Sequence, residues 1–102
     1  VSKYVWDELQ SAMYDVVNNE NGTAYSLKND DVIVRGKTGT AQTISSSTSE
    51  NLLSWFAGYI EYNTNLFSIV VVIEDTNSQN KSIAKIISKN IIDYVVESKS
   101  SE

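Results

Sequence analysis

Apolar residues recur at helical spacing near the start of the chain: Trp6, Leu9, Met13, Val16 and Val17. This predicts a helix over residues 2–18 with one apolar stripe, anchored to its neighbours through Trp6. The run Asn18-Asn19-Glu20-Asn21-Gly22 ends it, because Gly22 or an Asn can take the left-handed conformation that closes a helix. From Val32 the period drops to two, and the β-branched run through Val34 to Thr40 predicts a strand. Gly36 and Gly39 inside it mark places where something approaches the backbone closely.

Residues 43–51 are polar and Ser-rich and predict an exposed loop. Two more strands follow, over 54–61 and 66–74, joined by the turn Tyr62-Asn63-Thr64-Asn65. The unbroken run Ile69-Val70-Val71-Val72-Ile73 predicts burial on both faces. Asp75-Thr76-Asn77-Ser78 offers a turn with capping residues. Ile83, Ile86, Ile87, Ile91, Tyr94 and Val95 give a last helix over 79–97 a wide apolar face, before a polar, frayed tail over 98–102. The fold class is therefore α+β: helix-strand-strand-strand-helix, an antiparallel three-stranded sheet flanked by an N-terminal and a C-terminal helix.

Composition narrows the function. The 102 residues carry 8 basic and 13 acidic side chains, a net charge of -5, which argues against a nucleic-acid partner. One domain or part of one fits this length, with a thin core that buries roughly 60–65% of the unfolded surface. No apolar run approaches the ~20 residues of a membrane span. The chain has no Cys and no His, so disulfides, thiolate or imidazole metal sites and His-based catalysis within it are excluded. There is no Pro, so breaks fall to Gly, Asn, Asp and Ser.

The segment richest in chemistry is Arg35-Gly36-Lys37-Thr38-Gly39-Thr40-Ala41-Gln42. On a strand, Lys37 and Gly39 point to one face and Thr38 and Thr40 to the other. A strand edge with an ammonium, two hydroxyls and an open Gly backbone can dock a carboxylate or pair with an extended peptide. The same residues also suit a solvated edge strand, where Lys discourages aggregation. A phosphate loop is excluded, because Asp31 stands where that motif needs a Gly.

Four features together resemble the C-terminal end of the penicillin-binding protein transpeptidase domain, class B in particular. They are Met13-Tyr14-Asp15-Val16-Val17 followed by Gly22-Thr23-Ala24, then Gly36-Lys37-Thr38-Gly39-Thr40-Ala41-Gln42, then Trp55-Phe56-Ala57-Gly58-Tyr59 after a polar loop, then a β-branched strand and a closing amphipathic helix. The resemblance spans nearly the whole chain and implies that residues 1–102 are the C-terminal portion of a domain of the β-lactamase/transpeptidase-like fold. It implies a peptidoglycan D,D-transpeptidase that cross-links stem peptides through an acyl-serine and binds penicillin. In that family a Ser-x-x-Lys, a Ser-x-Asn and a Lys-Thr-Gly converge, and Lys37, Thr38 and Gly39 match the third. Carried over, Lys37 and Thr40 are catalytic: Lys37 holds a proton-relaying hydroxyl network and also favours the substrate or β-lactam carboxylate, and the Thr40 N–H is an oxyanion donor. Lys37, Thr38, Gly39 and Thr40 bind the substrate, a D-Ala-D-Ala stem peptide or a β-lactam. No cofactor or metal is implied.

The nucleophile is expected on polypeptide outside this chain. Ser82-Ile83-Ala84-Lys85 reads as Ser-x-x-Lys, and Ser78-Gln79-Asn80 and Ser49-Glu50-Asn51 as Ser-x-Asn, but all follow Lys37 where the family has them before it. Ser82 and Lys85 also fall in the last helix, expected behind the sheet and away from the cleft. By itself the chain is expected to be inactive, and to form a dimer or swapped assembly through the open edge of strand 66–74, which in the family pairs with an N-terminal part of the same domain. The resemblance places the parent on the outer face of the bacterial cytoplasmic membrane, membrane-anchored, with this piece itself soluble. A class D β-lactamase or β-lactam sensor, and a non-catalytic peptide-carboxylate-binding module, are the alternatives. Trp55, Phe56 and Tyr59 read as sheet packing, and Arg35 as a surface or subdomain contact. Asn21-Gly22-Thr23 and Asn80-Lys81-Ser82 match the N-glycosylation pattern, which carries little weight in so Asn- and Ser-rich a chain.

Overall fold

The computed structural model describes residues 2–42, 52–76 and 80–100. The order is helix α1 (Lys3–Asn18), a 3-10 turn (Tyr25–Leu27), strands β1 (Ile33–Gln42), β2 (Leu52–Tyr62) and β3 (Asn65–Thr76), and helix α2 (Ile83–Ser100). This is the helix, three-stranded antiparallel sheet and helix that the hydrophobic pattern predicts. The 3-10 turn is an addition; it exists to bury Leu27, which sequence periodicity over three residues cannot announce.

Helix α1 starts at Ser2, whose Oγ accepts a hydrogen bond from the Val5 N–H at 3.2 Å, satisfying one orphan donor of the first turn. It closes differently from expectation. Asn19 is extended, with φ -88°, and no glycine has positive φ. Instead the Asn19 N–H donates to Asp15 O at 3.1 Å and the Ala24 N–H to Val16 O at 3.0 Å. Gly22 is needed for space: a Cβ there would run into the carbonyl oxygens of Asp15 and Val16. The α1 stripe also buries less than predicted. Only Val17 is buried, while Trp6 and Leu9 stay about half exposed, and α1 meets the sheet chiefly along β1.

The strand order is β1-β2-β3, each neighbouring pair antiparallel. The hairpin between β2 and β3 turns through Asn63 and Thr64, with Tyr62 opposite Asn65 and Asn63 at φ 55°, a conformation Asn tolerates. Alternation sends Val34, Phe56, Ile60, Ile69 and Val71 to one face. There they meet Ala84, Ile92 and Val96 of α2, with Val17 and Leu27 closing the core.

Two expectations about burial are corrected. β3 is not covered on both faces: Ile69 and Val71 are buried, but Val70 and Val72 are 69% and 52% exposed, because α2 lies on one face only. The buried stripe of α2 is Ala84, Ser88, Ile92 and Val96, whereas Ile86, Ile91 and Tyr94 point outward. Apolar residues surround this helix, so their spacing does not choose a face; small side chains at 84 and 88 do, by letting the helix approach the sheet. The helix starts at Ile83, after the predicted 79, and runs on to Ser100 through most of the expected tail. The predicted 43–51 loop lies outside the described residues, as do Asn77 and Ser78 of the capping turn.

Candidate functional site

One flank of β1 pairs with β2; the other has no strand partner among the described residues. In an antiparallel strand the N–H and C=O of a residue point the same way, and alternate residues point to opposite flanks. Asn18 Nδ2 donates to Val34 O at 2.9 Å, and Lys37 Nζ donates to Thr38 O at 2.8 Å. The even-numbered residues therefore turn their backbone outward, and the unbroken β1–β2 register extends this to Thr40. The Thr40 N–H points out of the sheet edge. Helix α1 covers the Val34 end of that edge through Asn18, while Thr40 and Ala41 are exposed at the other end.

The side chains divide as period two requires. Lys37 is exposed on the α1 side and borders a shallow groove with Asp15, Asn19, Asn21 and Thr23. Thr38 and Thr40 open toward α2, into a 390 Å³ cleft shared with Gly39, Ser54, Trp55, Lys81, Ser82 and Lys85. Gly39 is small for a visible reason: the Trp55 indole occupies the space of its missing Cβ. Gly36 stands likewise against the Phe56 ring. Both close approaches match the sequence reading.

Polar contacts fix the walls of the cleft. Thr23 Oγ1 lies 3.2 Å from Thr38 Oγ1, and Lys85 Nζ donates to Thr23 O at 2.8 Å. Ser54, buried opposite Thr40, donates through Oγ to Lys81 O at 2.7 Å and accepts from the Ala84 N–H at 3.2 Å. The turn before α2 is thus pinned to β2. Ser82 and Lys85 consequently line the cleft beside Thr38 and Thr40, against the expectation that the last helix would leave them away from it. The correction has a simple origin. The hydroxyl face of β1 is the same face that α2 covers, so the start of α2 abuts it.

The other singled-out residues are placed as follows. Phe56 is fully buried; Trp55 is half-buried and borders the cleft; Tyr59 is half-buried, its hydroxyl buried without a hydrogen-bond partner. Arg35 ties α1 to the sheet: its Nη1 pairs with Glu61 Oε1 at 2.9 Å, and its guanidinium lies 5.8 Å from the Tyr14 ring centroid and 5.5 Å from that of Tyr59. Ser49-Glu50-Asn51 and Ser78-Gln79 lie outside the described residues. Away from the cleft, the hydrogen bond and charge of Asp30, 3.1 Å away, hold the Lys28 ammonium above the usual lysine range. No cluster that could hold a metal ion occurs among the described residues. Thr23, Ser54 and Lys81 were not assigned to the site from sequence. Ser54 left one faint signal, a polar residue at a core-facing position of a strand.

The chain that carries this Lys-Thr-Gly-Thr strand belongs to the penicillin binding protein transpeptidase domain family, whose pattern matches residues 1–93. Among curated proteins it is similar to the peptidoglycan D,D-transpeptidase MrdA of Haemophilus influenzae, 28% identical over 101 residues. That match covers 87% of this chain and 15% of the relative, so the chain spans a small part of its relative's length. No solved structure matches significantly.

Proposed function

We propose that this chain supplies the Lys-Thr-Gly wall of a peptidoglycan D,D-transpeptidase and is the C-terminal portion of that domain, with the nucleophilic serine on another stretch of the polypeptide. The serine oxygen would attack the D-Ala-D-Ala carbonyl, forming the acyl ester while the amide C–N bond breaks and the terminal D-Ala leaves as an amine with the added proton. Thr40 N–H would hold the oxyanion, one such donor contributing about 3–4 kcal/mol to lowering the barrier. Thr38 and Thr40 hydroxyls would bind the terminal carboxylate across the open backbone of Gly39. Lys37, on the opposite face, would hold the Ser-x-Asn hydroxyl network in its proton-relaying state. β-Lactams would enter the same site.

The reading is supported by the outward Thr40 N–H, on an edge that has no strand partner among the described residues, as the Asn18–Val34 and Lys37–Thr38 contacts orient it. Family membership supports it. The parent would sit at the outer face of the cytoplasmic membrane through an anchor; no helix among the described residues is long and apolar enough to cross one. The edge of β3, which has no second strand partner among the described residues, and the apolar face carrying Leu66, Val70 and Val72 would be covered by another part of the same domain, or in the isolated chain by a second copy.

The test is acylation of the intact protein by a fluorescent penicillin. Lys37→Ala is expected to slow it about 100-fold or more. Labelling that is unaffected by Lys37→Ala would remove the proposal.

A further inference from the structure

In the family resemblance Lys37 supplies the positive charge that favours the carboxylate. Thr38 and Thr40 open toward α2, but the Lys37 ammonium lies by Thr38 O on the β1 edge, and its side chain borders the groove on the α1 side. A carboxylate docked on the two hydroxyls would face other cations. Two of them, Lys81 and Lys85, border the same cleft. No Asp or Glu borders it among the described residues.

Both lysines project from backbone that is held in place. Ser54 clamps the Lys81 carbonyl and the Ala84 N–H, so the turn cannot drift from β2. Lys85 is the better placed of the two. One of its protons goes to Thr23 O at 2.8 Å, and the hydroxyl of that same Thr23 meets the Thr38 hydroxyl at 3.2 Å. An ammonium has three donors, so two remain for a ligand. Lys85 as a residue is half-buried, while its ammonium reaches the exposed Thr23 carbonyl at the mouth of the cleft.

We infer that Lys85, from the first turn of α2, is the cationic partner of the substrate carboxylate at the Thr38–Thr40 hydroxyl face, with Lys81 adding charge at the rim. This rests on the transpeptidase reading and deepens it, since it assigns the specificity of the site for a C-terminal carboxylate to α2 as well as to β1.

The experiment measures second-order acylation of the intact protein by a penicillin with its free carboxylate and by the methyl ester of the same penicillin. Wild type acylated by the free acid establishes the underlying reading; failure there sinks that reading separately. Lys85→Met is expected to slow the free acid about 10- to 100-fold, the weight of a charge-assisted hydrogen bond, and to leave the slower ester reaction within about twofold. Lys85→Arg is expected to restore most of the difference. Equal losses for acid and ester would make Lys85 structural and overturn the inference, as would no loss for either. If Lys85→Met does not fold, the acid-to-ester rate ratio of Lys85→Arg and Lys81→Met, and its decline with added salt, decide the matter: a ratio indifferent to salt and to both substitutions overturns it.

Discussion

Trp55 stands opposite Gly39 across the β1–β2 ladder, and its indole fills the volume where a Cβ at position 39 would lie. The small residue in the Lys-Thr-Gly run is thus required by this chain's own packing as well as by an open substrate edge. Gly39→Ala must displace the indole or push the strand outward. The expected cost is about 1–3 kcal/mol, the usual range for overpacking, read from urea unfolding. In the Trp55→Ala background Gly39→Ala should cost little relative to Trp55→Ala alone, and an undiminished cost there would contradict the steric account.

Arg35 joins three elements through Glu61, Tyr14 and Tyr59. Arg35→Ala is expected to destabilise by about 1–2 kcal/mol, the sum of a partly buried ion pair and the ring contacts. Arg35→Lys should recover little, since a compact ammonium cannot present a flat face to the rings while it pairs with Glu61. Chemical denaturation of the three proteins checks this; full recovery by Lys would show that charge alone matters.

Among the described residues, two buried hydroxyls lack hydrogen-bond partners, Tyr59 Oη and Ser88 Oγ. An unpaired buried hydroxyl costs stability, so Tyr59→Phe and Ser88→Ala are each expected to be neutral or to stabilise by up to about 1 kcal/mol. Ser88→Ala also favours the helix intrinsically. A loss above 1 kcal/mol in either melting experiment would mean the hydroxyl has a partner after all.

The helix order, the sheet and the split of Lys37 from Thr38 and Thr40 were legible in the sequence, because period-two alternation and β-branched content act locally. The burial of β3 and the rotation of α2 were not. Val70, Val72 and Ile86 are apolar without being covered here, and hydrophobicity reports what a residue prefers rather than what lies against it. The cleft was half legible. Thr38, Gly39 and Thr40, which the motif singles out, border it, but Lys81, Ser82 and Lys85 reach it through the Ser54 clamp, a contact between residues about thirty apart that no local pattern encodes.

Ser82 now lies in the cleft with a lysine one helical turn on, which makes its innocence testable. In the intact protein Ser82→Ala is expected to leave penicillin labelling within about twofold, whereas loss of an essential nucleophile removes it. The isolated 102-residue chain should form no penicillin adduct. Its exposed Leu66, Val70 and Val72 beside the free β3 edge should drive concentration-dependent self-association by light scattering, and a monomer at high concentration would count against that.

The most direct test of the central claim is the structure of the intact protein acylated by a penicillin. The account predicts the acyl carbonyl oxygen about 2.7–3.1 Å from the Thr40 backbone nitrogen, the carboxylate on the Thr38 and Thr40 hydroxyls, and the ester on a serine outside this chain. An adduct whose carbonyl oxygen lies away from the 37–40 edge, or whose ester is on Ser82, would contradict it.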